Sequence, residues 1–199
     1  IDMQGYSVVV NVILKAESSR QSILTWNTTQ FEGAGTDLYG GSYQFTARDG
    51  DRSWGVTLSD GISMSDSNGA GRLVRRDANG AVLRDEKTIN DGYGGGNSIR
   101  GTYAGPLAGG KVDLTARYGI NDWHGYDIAQ SPAAYRESRD DEDVKGGEFG
   151  ATWERPLGER FKLETRLMHQ FDSWDGLSTY DVTEDGVDAP RQEFDYSGD

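Results

Sequence analysis

The chain has no cysteine, two histidines and four prolines in 199 residues. Without cysteine there is no disulfide framework, no thiol nucleophile and no cysteine-ligated zinc or iron–sulfur site. Neither His124 nor His169 has a second histidine three or four residues away, so no helical metal pair is present and no metal site is expected. Long apolar runs are missing too. No stretch approaches the ~20 apolar residues that a helical membrane span needs. Cations are scarce: 20 Lys and Arg stand against 33 Asp and Glu, a net charge of −13. Nothing here would neutralise a phosphate backbone, so nucleic acid is not an expected partner. Gly-x-Ser-x-Gly is absent and no Ser pairs credibly with a His, so no catalytic residue, enzyme activity or cofactor is expected. With a mean hydropathy of −0.70, the composition reads as a soluble acidic protein of one or two domains. A membrane β-barrel stays open, because only alternate residues of its strands face lipid.

What is present is alternation with a period of two, the strand signature. Val112, Leu114, Ala116, Tyr118 and Ile120 share one face; Lys111, Asp113, Thr115, Arg117 and Gly119 share the other. The same pattern recurs over 23–31, 42–48, 54–64, 98–104, 148–154 and 161–171, giving about seven main strands. One dry face and one charged face per strand predict an antiparallel sheet wetted on one side. Helix signals are nearly absent; residues 133–142 form the only candidate, a short one.

Connections come in two lengths. Short turns are predicted at 49–52, 105–110 and 156–159, where Gly and Pro supply tight backbone geometry. Long polar stretches, read as loops, cover 65–96, 121–147 and 173 to the end. Within the first, Asn79-Gly80 predicts a type I′ hairpin joining strands at 73–76 and 82–85. The glycine-rich run Gly92–Asn97 follows no buried parallel strand and opens no helix, so it reads as a flexible loop base, not a phosphate loop. The acidic run Arg139–Asp143 lacks the spacing of a calcium loop and reads as a solvated outer loop. Glu154 and Glu164 are placed to face each other across a hairpin. Trp54 and Trp153 beside short turns, and Tyr118, Phe171 and Trp174 beside long stretches, fit the two aromatic girdles of an outer-membrane barrel. Short turns at one end and long connections at the other are also that fold's habit.

The opening segment Ile1–Lys15 and the turns Tyr103-Ala-Gly-Pro-Leu-Ala-Gly-Gly110 and Trp153-Glu-Arg-Pro-Leu-Gly-Glu159 carry a more specific likeness. Gly5 followed by Val9-Val10-Asn11-Val12 is similar to the last plug strand of TonB-dependent outer-membrane receptors, and the Gly-Pro-Leu-type turns are similar to those joining their early barrel strands. The order of elements also resembles that family across the whole chain. The resemblance implies an all-β antiparallel transmembrane barrel segment, part of a large plugged barrel, with residues 1–16 as the last plug strand and 17–199 as the N-terminal part of the barrel. It implies a bacterial outer-membrane location, contact with lipid and lipopolysaccharide, energy from a TonB complex acting through a missing N-terminus, and uptake of a scarce nutrient such as a siderophore, vitamin or glycan. Both ends read as cut, so a longer polypeptide is expected. Tyr93, Trp123, His124, Tyr126 and Trp174 are the candidate ligand-binding residues in the outer loops. A passive porin and a soluble β-sandwich binding carbohydrate are the alternatives.

Overall fold

The structure is a computed structural model that describes residues 18–29, 38–64 and 68–199. The segment likened to a plug strand lies outside them. The described residues form one open antiparallel sheet and contain no helix. Its strands are β1 (Ser18–Thr29), β2 (Leu38–Asp49), β3 (Arg52–Met64), β4 (Gly69–Arg76), β5 (Val82–Leu107), β6 (Gly110–Gln130), β7 (Ala134–Leu157), β8 (Phe161–Glu184), β9 (Val187–Asp188) and β10 (Gln192–Gly198). The order is a meander, β1-β2-β3-β5-β6-β7-β8-β10, with β4 on β5 above β3 and β9 on β8.

The three short turns fall at one end, here the lower end. Gly50 has φ 57 at the first central position of the two-residue loop between β2 and β3. Ala108 and Gly109 have φ 50 and 75 between β5 and β6, the two positive φ values of a type I′ turn. Gly158, φ 69, opens the turn between β7 and β8.

The long polar stretches are not loops. Residues 121–130 continue β6, 134–147 continue β7 and 173–184 continue β8, and the ladders run through them without a register shift. The segment expected as a helix, 133–142, is the start of β7 apart from Ala133: it pairs with β6 on one side and β8 on the other, so its backbone groups have sheet partners. The glycine-rich run is likewise mid-strand in β5. Only a three-residue connection, Ser131–Ala133, joins β6 to β7, held by Ser131 Oγ accepting from the Ala134 amide at 3.0 Å. The hairpin at 79–80 forms as expected, but its turn is different. Gly80 alone has positive φ, and Asp77 Oδ1 accepts from the Asn79 and Ala81 amides at 2.9 and 2.8 Å. That is an Asx-stabilised type I turn closed by a left-handed Gly, not type I′.

Directly opposed residues share a face, so the registers define continuous rows across the strands. One face carries Leu24, Tyr43, Phe45, Val56, Leu58, Ile99, Leu114, Tyr118, Phe149, Leu167 and Phe171 in the lower half. The opposite face there carries Ser, Thr, Gly and charged residues. Glu154 does face Glu164, and each is neutralised locally, by Lys162 at 2.7 Å and by Arg166 respectively. Among the described residues Ala47 and Val112 are the only buried apolar side chains. None of the described residues covers the apolar face: Leu24 is 80% exposed, Leu167 58% and Ile99 48%.

Candidate functional site

Above the level where Met64 pairs with Tyr93, β5 to β8 rise beyond β1 to β3. The β3 ladder ends at Met64 with Tyr93 and the β4 ladder begins at Gly69 with Asn90, which leaves Asp91 and Gly92 of β5 between the two ladders. Asn68 repairs the ladder there, its Oδ1 accepting from the Gly92 amide at 2.7 Å and its Nδ2 donating to Gly92 O at 3.1 Å. At the top, Glu86 is buried at 2% exposure between Arg84 Nε at 2.5 Å and Arg136 Nη1 at 2.7 Å. Arg136 belongs to β7, so this cluster fastens the β4–β5 hairpin to the neighbouring strands.

The five residues expected to bind ligand lie on strands, and they divide between the two faces. Tyr93, His124 and Tyr126 fall on the face that is apolar below; Trp123 and Trp174 fall on the polar face. The structure brings Tyr93 and His124 together, ring centroids 5.2 Å apart. His124 Nδ1 lies 2.6 Å from Asp141 Oδ1, and its Nε2 lies 3.4 Å from Asp122 Oδ2. The Asp141 hydrogen bond raises the imidazole pKa most; burial opposes it, and the charges of Asp141, Asp122 and Asp143 add smaller upward contributions. Arg139 stands 5.2 Å over the Tyr126 ring and pairs with Glu137 at 2.5 Å. His124 and Arg139 thus each have an acidic partner on this face. Trp174, expected in an aromatic girdle, points instead to the polar face, because it pairs with Val144 and Gly198.

The polar face of the upper sheet holds a second constellation. Trp123 pairs across the strands with Gly94, Tyr196 with Gly176, and Trp174 with Gly198. A Cβ at 176 or 198 would collide with the ring of Tyr196 or Trp174, so at those two positions the missing side chain makes room for the ring; a Cβ at 94 would meet the Asp122 carbonyl oxygen first and Trp123 second. Glu142 sits between Trp123 and Gly176 in the same row, and Asp140 lies one row above. Tyr196 Oη donates to Glu142 Oε2 at 3.1 Å, and Ser178 Oγ donates to Asp140. Burial and these two carboxylates push the Tyr196 phenol pKa upward. Phe194 stacks on Tyr196 at 5.9 Å. Sequence reasoning found Trp123 and Trp174 but missed Tyr196, Glu142, Asp140 and Ser178. The available signal was the alternation of Gly with bulky rings in opposing strands. Among the described residues no group of three or more His, Asp or Glu side chains is arranged to hold a metal ion.

No family model matches the chain, and no curated protein and no solved structure matches it.

Proposed function

We propose that this sheet is part of the wall of an outer-membrane β-barrel receptor of the TonB-dependent kind, taking up a scarce nutrient, with the lower apolar face against lipid. One observation carries the reading: the single-layer sheet has a continuous apolar face that none of the described residues covers. A sheet must bury that face against something. From Val112 to Ile120 the apolar band covers nine residues, eight steps of ~3.4 Å or about 27 Å of strand. Tilted by roughly 35–45°, it stands about 20 Å high, close to the ~25 Å apolar band of such barrels. Trp54 and Trp153 mark its lower margin, and Tyr118 and Phe171, 6.5 Å apart, its upper one. The broad apolar trough lined by Leu24, Trp26, Tyr43, Leu58, Ile99 and Tyr118 belongs to this band. The short turns would lie in the periplasm and the extended upper strands outside the cell. No catalytic role is assigned to any residue.

The test is a pair of substitutions one residue apart. Leu114→Arg places a cation on the apolar face and Thr115→Arg places it on the polar face. Heat-modifiable mobility of the full-length protein in outer-membrane fractions reports assembly. Leu114→Arg is expected to abolish the folded band and Thr115→Arg to retain it. Equal yields would refute the lipid-facing assignment. A soluble sandwich predicts instead a monodisperse protein without detergent.

A further inference from the structure

We propose that the polar face of the sheet binds a neutral carbohydrate, in the hollow where Arg117, Asn121, Glu148, Gln170 and Asp172 converge over a glycine floor. The inference deepens the receptor reading by naming a substrate class, and rests on it for placing this face toward the barrel interior.

The register builds the hollow. Gly119 of β6 pairs directly with Gly146 of β7, and Asp172 of β8 continues their row. Arg117, Glu148 and Gln170 form the row below on the same face, and Asn121 and Val144 stand in the row above. Two adjacent glycines among longer side chains leave a depression of about 320 Å³, lined by all of these residues. That lies at the lower end of the ~300–1,000 Å³ of small-molecule sites.

The lining selects the ligand class. Guanidinium, carboxylate and amide groups are planar, and each presents two hydrogen-bonding atoms along one edge. Adjacent hydroxyls of a sugar ring both donate and accept, so they match all three kinds. Arg117 and Glu148 oppose each other directly, yet no ion pair joins them among the described residues, which leaves both edges for a ligand. Both signs of charge face the same hollow. A simple anion meets Glu148 and Asp172, and a simple cation meets Arg117. The design recurs on this face: Gly55 floors a second hollow of about 180 Å³ between Gln44, Thr57 and Arg100, again amide, hydroxyl and guanidinium. Arg100 pairs directly with Arg117, so the two hollows meet at adjacent side chains, which suits a ligand of linked sugar units.

The experiment titrates neutral trisaccharides of glucose, galactose, mannose and xylose into the full-length protein, solubilised in a detergent without a sugar headgroup, and reads calorimetric heat. Trigalacturonate and zwitterionic glycylglycine serve as charged comparators. At least one neutral trisaccharide is expected to bind about tenfold or more tighter than either comparator. Glu148→Ala is expected to weaken that sugar about tenfold, the scale of one hydrogen bond to a charged group. Gly119→Val is expected to abolish binding in a folded protein, because a Cβ there has its nearest neighbours at 3.4 and 3.5 Å while the methyls occupy the floor. Lys145→Ala, on the opposite face, is expected to leave binding unchanged. No sugar bound by the folded protein, a comparator that binds as well as the best sugar, or full binding by folded Gly119→Val would each overturn the site. A protein that requires detergent yet binds no sugar refutes the site alone. One that folds in water without detergent refutes the membrane reading, and the same titration is then read on the water-soluble chain.

Discussion

The lower and upper halves of this sheet share one hydrogen-bond ladder and differ in everything the side chains do. Below the Ile120 row, one face is apolar and the other polar, so each strand alternates. Above it, both faces are polar: Asp122, Asp143 and Asp175 stand directly opposite one another on one face, and Asp140 and Glu142 stand on the other. Like charges directly opposed across strands are destabilising. The upper half persists through other means: an uninterrupted backbone ladder, rings lying on glycines, and the buried Glu86 cluster at the top. The difference teaches that strand continuity and strand amphipathicity are separate properties. The ladder needs only extended backbone with partners on both sides. Amphipathicity appears only where the two faces meet different surroundings.

Four perturbations bear on that comparison. The largest effect is expected from Glu86→Ala, which leaves Arg84 and Arg136 without their buried counter-charge and costs about 3–5 kcal/mol of local stability. Hydrogen exchange is expected to accelerate across 82–92 and 134–140 while 111–120 stays protected. Uniform acceleration would mean the halves are one cooperative unit. Leu114→Arg comes next, at roughly 2–4 kcal/mol for a cation at mid-band, measured as lost assembly beside Thr115→Arg. Gly176→Val forces Tyr196 off the sheet and is expected to cost about 1–3 kcal/mol, with loss of near-UV dichroism from the upper rings. Unchanged dichroism would show that the ring does not depend on the missing Cβ.

The smallest effect is a pH dependence confined to the upper half. The folded pKa of His124 is raised, so its contribution to stability is fully present below the unfolded value of about 6.5 and is lost as pH rises through the folded value. Exchange protection around 122–126 and 139–143 is therefore expected to fall on going from pH 6 to pH 8. His124→Gln is expected to remove that dependence, and Asp141→Asn to lower the imidazole midpoint seen by NMR. A midpoint at or below the unfolded value would contradict the Asp141 contact.

The sequence was most legible where the surroundings of the two faces differ. Seven main strands, three short turns and the hairpin at 79–80 were read from alternation and from Gly and Pro. In the upper strands that cue vanishes, because with both faces polar there is no hydrophobic period left to detect. Runs such as Arg139–Asp143 and Gly92–Asn97 then carry the composition of loops while forming strands. The site was half legible for the same reason. Trp123 and Trp174 stood out as rings, but their partner Tyr196 lies on β10, in a stretch that read as a tail. Alternation assigned no faces in that region, so Tyr93, His124 and Tyr126 could not be separated from the two tryptophans. Pairing with β8 is what puts Tyr196 beside Glu142.

The unbroken β6–β7–β8 register also limits how this chain can change length. One residue inserted into an arm, between Asn121 and Gln130 for example, would send every side chain above it to the opposite face. Asp127 would exchange places with its neighbours, and the contacts of His124 and Trp123 would be traded across the sheet. Insertions at the tips, at Ser131–Ala133 or Asp185–Gly186, disturb no pairing below them. Evolutionary length variation is therefore expected to collect at the tips, while the arms change by substitution.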